Sequence, residues 1–254
     1  PHLGVAADVV PLARNYVIAR SPSVLPFLLY WSVKAWLQVH GKTTAPVVGV
    51  VVGLGVELVL DVILVFGNPT LGVPALGVVG AGAMGAGIAG ALARAGLHVL
   101  LCDRTRELLD RGISRLDDFM RRSVELGKLT LEEKTAILGR IETTTEINEF
   151  AGADLVIEAI HENLEAKSEV LARLDRICRP EVILASNTSS ISITALGAVT
   201  GRRSRVVGMH FFNPAQLMEL VEIIRGYHTS DETVKCVDDL ARRLGKTTVE
   251  VKKS

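Results

Sequence analysis

Residues 73–254 predict a doubly wound α/β domain with a mainly parallel sheet, and three observations carry that prediction. From Ala75 onward, apolar runs of strand length alternate with stretches of helical period, which is the rhythm of βαβ units. A glycine turn, Gly80-Ala81-Gly82-Ala83-Met84-Gly85, follows the first apolar run, Leu76-Gly77-Val78-Val79, and opens a helix-like run, Ala86-Gly87-Ile88-Ala89. The next strand, from His98 to Cys102, ends in Asp103, about 20 residues past the glycines, where an acid would accept ribose hydroxyls. Together these describe a Rossmann-type dinucleotide site. Gly80 permits the tight turn, Gly82 lets backbone approach a pyrophosphate, Gly85 lets helix pack on strand, and Ala83 and Met84 begin the helix. The helix N-terminus offers unpaired N–H groups and a favourable dipole to phosphates.

The elements follow in order. Residues 1–72 form an apolar N-terminal extension that stays unassigned. It holds two apolar tracts, Ser23 to Val39 and Ala45 to Phe66, and ends at turn formers between Gly67 and Pro74. The second tract has the roughly 20 residues a membrane span needs, but Glu57 and Asp61 near its middle are costly in a bilayer. A transmembrane helix, a piece of an upstream domain or buried hairpin, and a poorly structured extension all remain open. Strands are expected at Leu76 to Val79, Val99 to Asp103, Asp154 to Ile160, Val182 to Ser186, Arg205 to Phe211 and Leu217 to Ile224. Between the second and third, residues 105–140 read as a helical hairpin broken at Gly127-Lys128-Leu129. Thr130 and Glu133 have capping-box spacing at its second helix, as do Thr229 and Glu232 before a last helix from Asp231 to Leu244. Leu164, Val170, Leu171, Leu174 and Ile177 keep a helical period and should cover one face of the sheet.

Composition narrows the function classes. Lys and Arg number 28, as do Asp and Glu, so charge gives no case for nucleic acid or an acidic membrane surface. Cys102, Cys178 and Cys236 are far apart and read as reduced core thiols of a cytoplasmic protein, with no metal site or disulfide.

Three polar clusters fall at strand ends, where open α/β sheets place ligands. They are Glu158-Ala159-Ile160-His161-Glu162-Asn163 with Lys167, then Ser186-Asn187-Thr188-Ser189-Ser190, then Met209-His210-Phe211-Phe212-Asn213-Pro214 with Glu222 on the next strand. A histidine among apolar neighbours, with a carboxylate across an adjacent strand, is what a general base held in one tautomer needs. A core histidine, an ordinary strand-end carboxylate, and Ser189 as cap of a helix near Ile191 are the structural alternatives.

GVVGAGAMGAGIA, DLVIEAIHENLEAK, ILASNTSSISIT and GMHFFNPAQLMELVEII appear in the order and spacing of the L-3-hydroxyacyl-CoA dehydrogenases, which the chain resembles from about Ala75 onward. The 3-hydroxybutyryl-CoA dehydrogenase branch is the nearest in pattern. The resemblance implies an NAD-dependent oxidoreductase of fatty-acid or butyrate metabolism that interconverts (S)-3-hydroxyacyl-CoA and 3-oxoacyl-CoA. It makes His210 the base and Glu222 its partner, with Ser189 and Asn213 around the reacting oxygen. It places Glu162, Lys167, Asn187 and Ser189 with the cofactor, alongside Asp103, whose charge favours NAD over NADP; Arg104 beside it could soften that choice. The hairpin resembles the arm over which coenzyme A lies; Arg121, Arg122 and Lys128 are candidate partners for its phosphates, with a solvated helix face as the alternative. The resemblance ends at Val249 to Ser254, where the family continues into a helical C-terminal domain that closes the cleft and makes a homodimer. A fragment lacking that domain is expected to bind NAD and turn over weakly or not at all. A gulonate-type hydroxy-acid dehydrogenase and a non-catalytic dinucleotide-binding module are the competing readings.

Overall fold

The computed structural model describes residues 76–252, within the second of the two units into which the chain divides, Gly72–Ser254. The readings of residues 1–72 lie outside the described residues, as do Lys253 and Ser254. Strands β1 (Leu76–Val79), β2 (Val99–Cys102), β3 (Ile141–Thr144), β4 (Leu155–Glu158), β5 (Ile183–Ser186), β6 (Val206–Phe211), β7 (Leu220–Arg225) and β8 (Thr247–Lys252) form one sheet in the order β3-β2-β1-β4-β5-β6-β7-β8. Neighbours run parallel except for the β6–β7 pair, so β7 and β8 oppose the rest. The chain works outward from β1 to β3, then crosses back to lay β4 against the other side of β1. That reversal leaves a crevice above the carboxyl ends of β1 and β4, the usual ligand position of such sheets.

The short central strands are apolar at successive residues because both faces of the sheet are covered. Val78, Leu101, Ile157, Ala185 and Val207 pack with helices α1 (Ala83–Arg94), α2 (Arg106–Glu125), α3 (Leu131–Leu138) and α6 (Asp231–Arg243). Val79, Leu100, Val156 and Leu184 pack with Phe150 and with helices α4 (Leu164–Ile177) and α5 (Ile193–Ala198). Each fully buried aliphatic side chain contributes roughly 1.5–3 kcal/mol.

Small residues bring α1 and α2 together. α1 is buried from Gly85 to Ala93, and α2 buries Leu109, Gly112, Leu116 and Met120 at helical spacing. A Cβ on Gly90 would lie 2.5 Å from the Leu116 side chain, and one on Gly112 would lie 2.5 Å from the Ala81 carbonyl oxygen. α2 therefore rests against both the helix and the glycine turn before it. The hairpin breaks where the sequence places the break, and Thr130 and Glu133 form a complete capping box on α3. Lys134 of α3 meets Asp117 of α2 at 2.8 Å.

Several local expectations are corrected. β3 and β8 are strands that the apolar runs did not mark. Ile141-Glu142-Thr143-Thr144 and Thr247 to Lys252 are edge strands whose residues are mostly half-buried or exposed, so burial leaves little apolar signature in them. β8 pairs with β7 through Lys252. Residues Ile147–Gly152 form a 3-10 turn that seats Phe150 in the core. The cap of α5 is Ser192, not Ser189, and the cap of α6 is Ser230, not Thr229. Thr229 instead donates its hydroxyl to the Val206 carbonyl at 2.6 Å. Cys102 and Cys178 are buried, but Cys236 is exposed. Burial, with the nearby Asp103 and Glu149 charges adding to it, pushes the Cys102 thiol up to about 11. Among the described residues, no helix is long and apolar enough to cross a membrane.

Candidate active site

The glycine turn sits at the carboxyl end of β1 and depends on its glycines in different ways. Gly80 has φ of +104°, and a Cβ there would lie 2.7 Å from the Ala159 carbonyl oxygen. A Cβ on Gly85 would lie 1.7 Å from the Gly80 carbonyl oxygen, whereas one on Gly82 meets nothing within 4 Å. Two glycines are thus required by protein packing, and the third is open to the crevice. Gly82 caps α1 without a side-chain hydrogen bond, and the first turn of the helix carries no acid. Its N–H groups and dipole are left for an external anion. Beside it, Asp103 accepts the Ala81 N–H at 2.6 Å and the Arg104 N–H at 2.7 Å. These groups line a cleft of about 610 Å³ together with Ala159, Ile160, Arg111 and Arg173. A glycine-lined cradle open at Gly82, a bare helix N-terminus and a fixed carboxylate fit a dinucleotide.

The second cluster of polar residues forms where β4, β5 and β6 end. His210 and Glu222 are register partners on antiparallel β6 and β7, so the strand pairing itself places the two side chains together. His210 Nδ1 lies 2.8 Å from Glu222 Oε2, and His210 Nε2 lies 3.1 Å from Ser189 Oγ. The side chains of His210 and Glu222 are 15% and 32% exposed, so the ring is enclosed yet reachable. Phe212 tilts against the imidazole at 4.7 Å between ring centroids. Because a carboxylate only accepts, Nδ1 donates, and a neutral ring then carries its lone pair on Nε2, beside the serine.

Ser189 is held by its backbone. Its N–H donates to Glu162 Oε1 at 2.9 Å, and the same oxygen accepts the Thr188 hydroxyl at 2.5 Å and the Ser190 N–H at 3.2 Å. Partial burial alone would raise the Glu162 carboxyl, but these hydrogen bonds and the Lys167 charge together hold it below its ordinary value. Lys167 itself is wholly buried against Glu158. Asn187 is buried, and its Oδ1 accepts the Phe211 N–H at 2.9 Å.

The fold therefore joins Ser189, His210 and Glu222, with Glu162, Lys167 and Asn187 behind them. It places Gly80, Gly82, Ala83, Met84, Gly85 and Asp103 around the crevice. Asn213 is exposed just beyond β6, and Lys128 is exposed at the tip of the hairpin; neither side chain is hydrogen-bonded to this cluster. Arg121 is paired along its own helix with Asp118 and Glu125, each at 3.0 Å. Sequence reasoning assigned no role to Glu158, Ser186 or Thr188. A carboxylate at the end of an apolar strand, with a lysine nine residues on, was the available signal for Glu158. Among the described residues no group of His, Cys, Asp and Glu could hold a metal ion.

Residues 75–254 match the family model described as the 3-hydroxyacyl-CoA dehydrogenase NAD binding domain. The chain belongs to this family. A Deinococcus radiodurans protein named "Probable 3-hydroxybutyryl-CoA dehydrogenase" is 51% identical over 155 residues, covering 61% of this chain and 55% of that protein. A Bacillus subtilis protein of the same name is 50% identical over 159 residues, covering 63% of this chain and 55% of that one. The crystal structure of (S)-3-hydroxybutyryl-CoA dehydrogenase from Ralstonia eutropha is 44% identical with a TM-score of 0.70, over 72% of this chain and 64% of that chain. The chain spans about half the length of the curated relatives it matches. The family model reaches residue 254, through β8.

Proposed function

We propose that the protein catalyses the NAD-dependent interconversion of an (S)-3-hydroxyacyl-CoA and its 3-oxoacyl-CoA, with the C4 hydroxybutyryl thioester as substrate. The observation that carries the reading is His210, bonded at Nδ1 to Glu222 and at Nε2 to Ser189, in a domain of an NAD-binding family. The names of the relatives support the substrate class. NAD held by Asp103 and the α1 N-terminus would supply the hydride acceptor for C3 of the substrate. His210 Nε2 takes the proton of the 3-hydroxyl, so the alcohol becomes a ketone and one proton passes to the protein. Glu222 keeps Nδ1–H in place and stabilises the imidazolium that results. Ser189 Oγ, already within reach of Nε2, and exposed Asn213 orient the reacting oxygen. Asp103 takes the ribose hydroxyls, and the α1 N-terminus beside Gly82 takes the pyrophosphate.

Helix α2 and the hairpin tip bearing Lys128 lie on the glycine-turn side of the sheet, and this reading gives that arm to coenzyme A. A homodimeric, cytoplasmic protein belongs to the same reading, and equilibrium sedimentation checks the first of these. The function itself is tested by following NADH oxidation with acetoacetyl-CoA beside the corresponding free keto acid. Oxidation with the thioester alone is expected; oxidation with the free acid alone would refute the substrate class.

A further inference from the structure

The cleft beside the glycine turn carries positive charge that no protein group pairs with. Arg104, Arg111, Arg115 and Arg173 all line it, and all are exposed. Among the described residues, none of the four side chains forms a hydrogen bond or an ion pair. Acids are at hand on the same helix: Arg106 meets Asp110 at 3.5 Å, and Arg121 meets Asp118 and Glu125 at 3.0 Å each. Glu107 lies near enough for the Arg111 charge to act on it, yet no ion pair forms. Arg111 and Arg115 thus face the cleft with their donors open.

Their place on α2 decides which part of the cleft they serve. Gly112 stands between them in sequence, and a Cβ on it would lie 2.5 Å from the Ala81 carbonyl oxygen. That close approach presses this stretch of α2 onto the glycine turn. Leu108, Arg111 and Arg115 follow at a spacing that puts them on one helix face, and they border the same cleft as Gly80 and Gly82. Arg104 adjoins Asp103 at the ribose end instead. Arg173 lies across the cleft on α4, where Glu169 precedes it by one turn on the same wall.

A pyrophosphate bridge carries a negative charge on each phosphate. The N-terminus of α1 answers with only about half an elementary charge, its first turn bears no capping side chain, and Asp103 beside it adds a negative charge. The turn therefore offers N–H groups and shape but leaves much of the ligand's charge unmatched. Guanidinium groups suit phosphate oxygens, because their planar N–H donors can bond two oxygens at once. Resting on the function proposed above, we infer that Arg111 and Arg115 bind the pyrophosphate of the dinucleotide, completing from α2 the clamp that the α1 N-terminus begins. The far end of the hairpin, with Lys128, is left to coenzyme A.

The test measures NADH binding by fluorescence, without substrate, in wild type and in the variant Arg111→Gln with Arg115→Gln. A control, Arg176→Gln with Arg243→Gln, removes the same charge away from the cleft. The cleft variant should bind NADH about tenfold more weakly and ADP-ribose more weakly by the same factor. Adenosine, which has no phosphate, should bind it as it binds wild type, and the control should bind NADH normally. Both side chains are exposed and unpaired, so the melting temperature should hold. A salt titration of wild type needs no variant at all: raising ionic strength from about 0.05 to about 0.5 M should weaken NADH severalfold, and the cleft variant should respond less. Unchanged NADH affinity in the cleft variant would overturn the inference, as would an equal loss in the control or wild-type binding that ignores salt. A loss confined to NADPH would place the arginines at a 2′-phosphate, and one confined to coenzyme A would give them to the substrate; either overturns it. Failure of wild type to bind NADH would overturn this inference and the proposed function together, whereas normal NADH binding without turnover of the thioester would count against the proposed function alone.

Discussion

His210 gains a defined chemistry because other residues decide what each of its nitrogens meets. Glu222 accepts from Nδ1, and Ser189 faces Nε2 at 3.1 Å. Glu222→Gln keeps the shape but weakens support for the imidazolium. It should cost at least about 100-fold in kcat, in line with the loss of general acid–base assistance, while NADH affinity measured by fluorescence stays level. The glycines divide along similar lines. Gly85→Ala puts a methyl into the Gly80 carbonyl at 1.7 Å, where backbone must move, so both the melting temperature and NADH binding should drop. Gly82→Ala meets nothing within 4 Å; it should melt like wild type yet bind NADH about tenfold more weakly, a loss of roughly 1.4 kcal/mol. Glu162 gives a pH prediction. Its carboxyl sits below the ordinary value of 4.5 in the folded state. Its contribution is therefore complete above that value and is lost as pH falls through the lower folded one. Hydrogen exchange at the Ser189 and Ser190 amides should stay slow down to that range and quicken below it, and Glu162→Ala should abolish the dependence.

At the scale of elements, local sequence predicted what burial writes into it. β1, β2, β4, β5, β6 and β7 were legible because buried strands are apolar runs, and the hairpin was legible because Gly127 and the Thr130–Glu133 box interrupt a helical period. The edge strands β3 and β8 were not, since pairing holds them and pairing requires no particular side chain. The caps at Ser192 and Ser230 were each misplaced because runs such as Thr229-Ser230 offer several hydroxyls, and only the entering backbone selects one. Phe150 shows the same limit: its ring rests on Gly77, where a Cβ would meet it at 2.7 Å, but nothing local marks the 3-10 turn that carries it. Phe150→Ala should cost about 3–5 kcal/mol, read as a lower denaturation midpoint with an unchanged m-value.

Across the whole molecule, the sheet order brings together residues far apart in the chain. The reversal between β1 and β4 opens the crevice at the glycine turn, and the antiparallel turn from β6 to β7 sets Glu222 opposite His210. The nucleotide half of the site was legible from a short motif because its parts are contiguous. His210 and Glu222 were legible from the family pattern. The Glu158–Lys167 pair was not, because burial of two charges is a property of the assembled strand ends rather than of either residue. The central proposal is that the whole protein moves a hydride between NAD and C3 of a hydroxyacyl thioester while His210 moves the proton. The most direct test mixes protein, NAD and (S)- or (R)-3-hydroxybutyryl-CoA and follows NADH formation, with wild type and His210→Ala compared at equal NAD saturation. NADH should form with the (S) thioester, and His210→Ala should lower the rate at least about 100-fold with NAD binding intact. Equal rates in the two proteins, or NADH formed from the (R) thioester alone, would contradict the account.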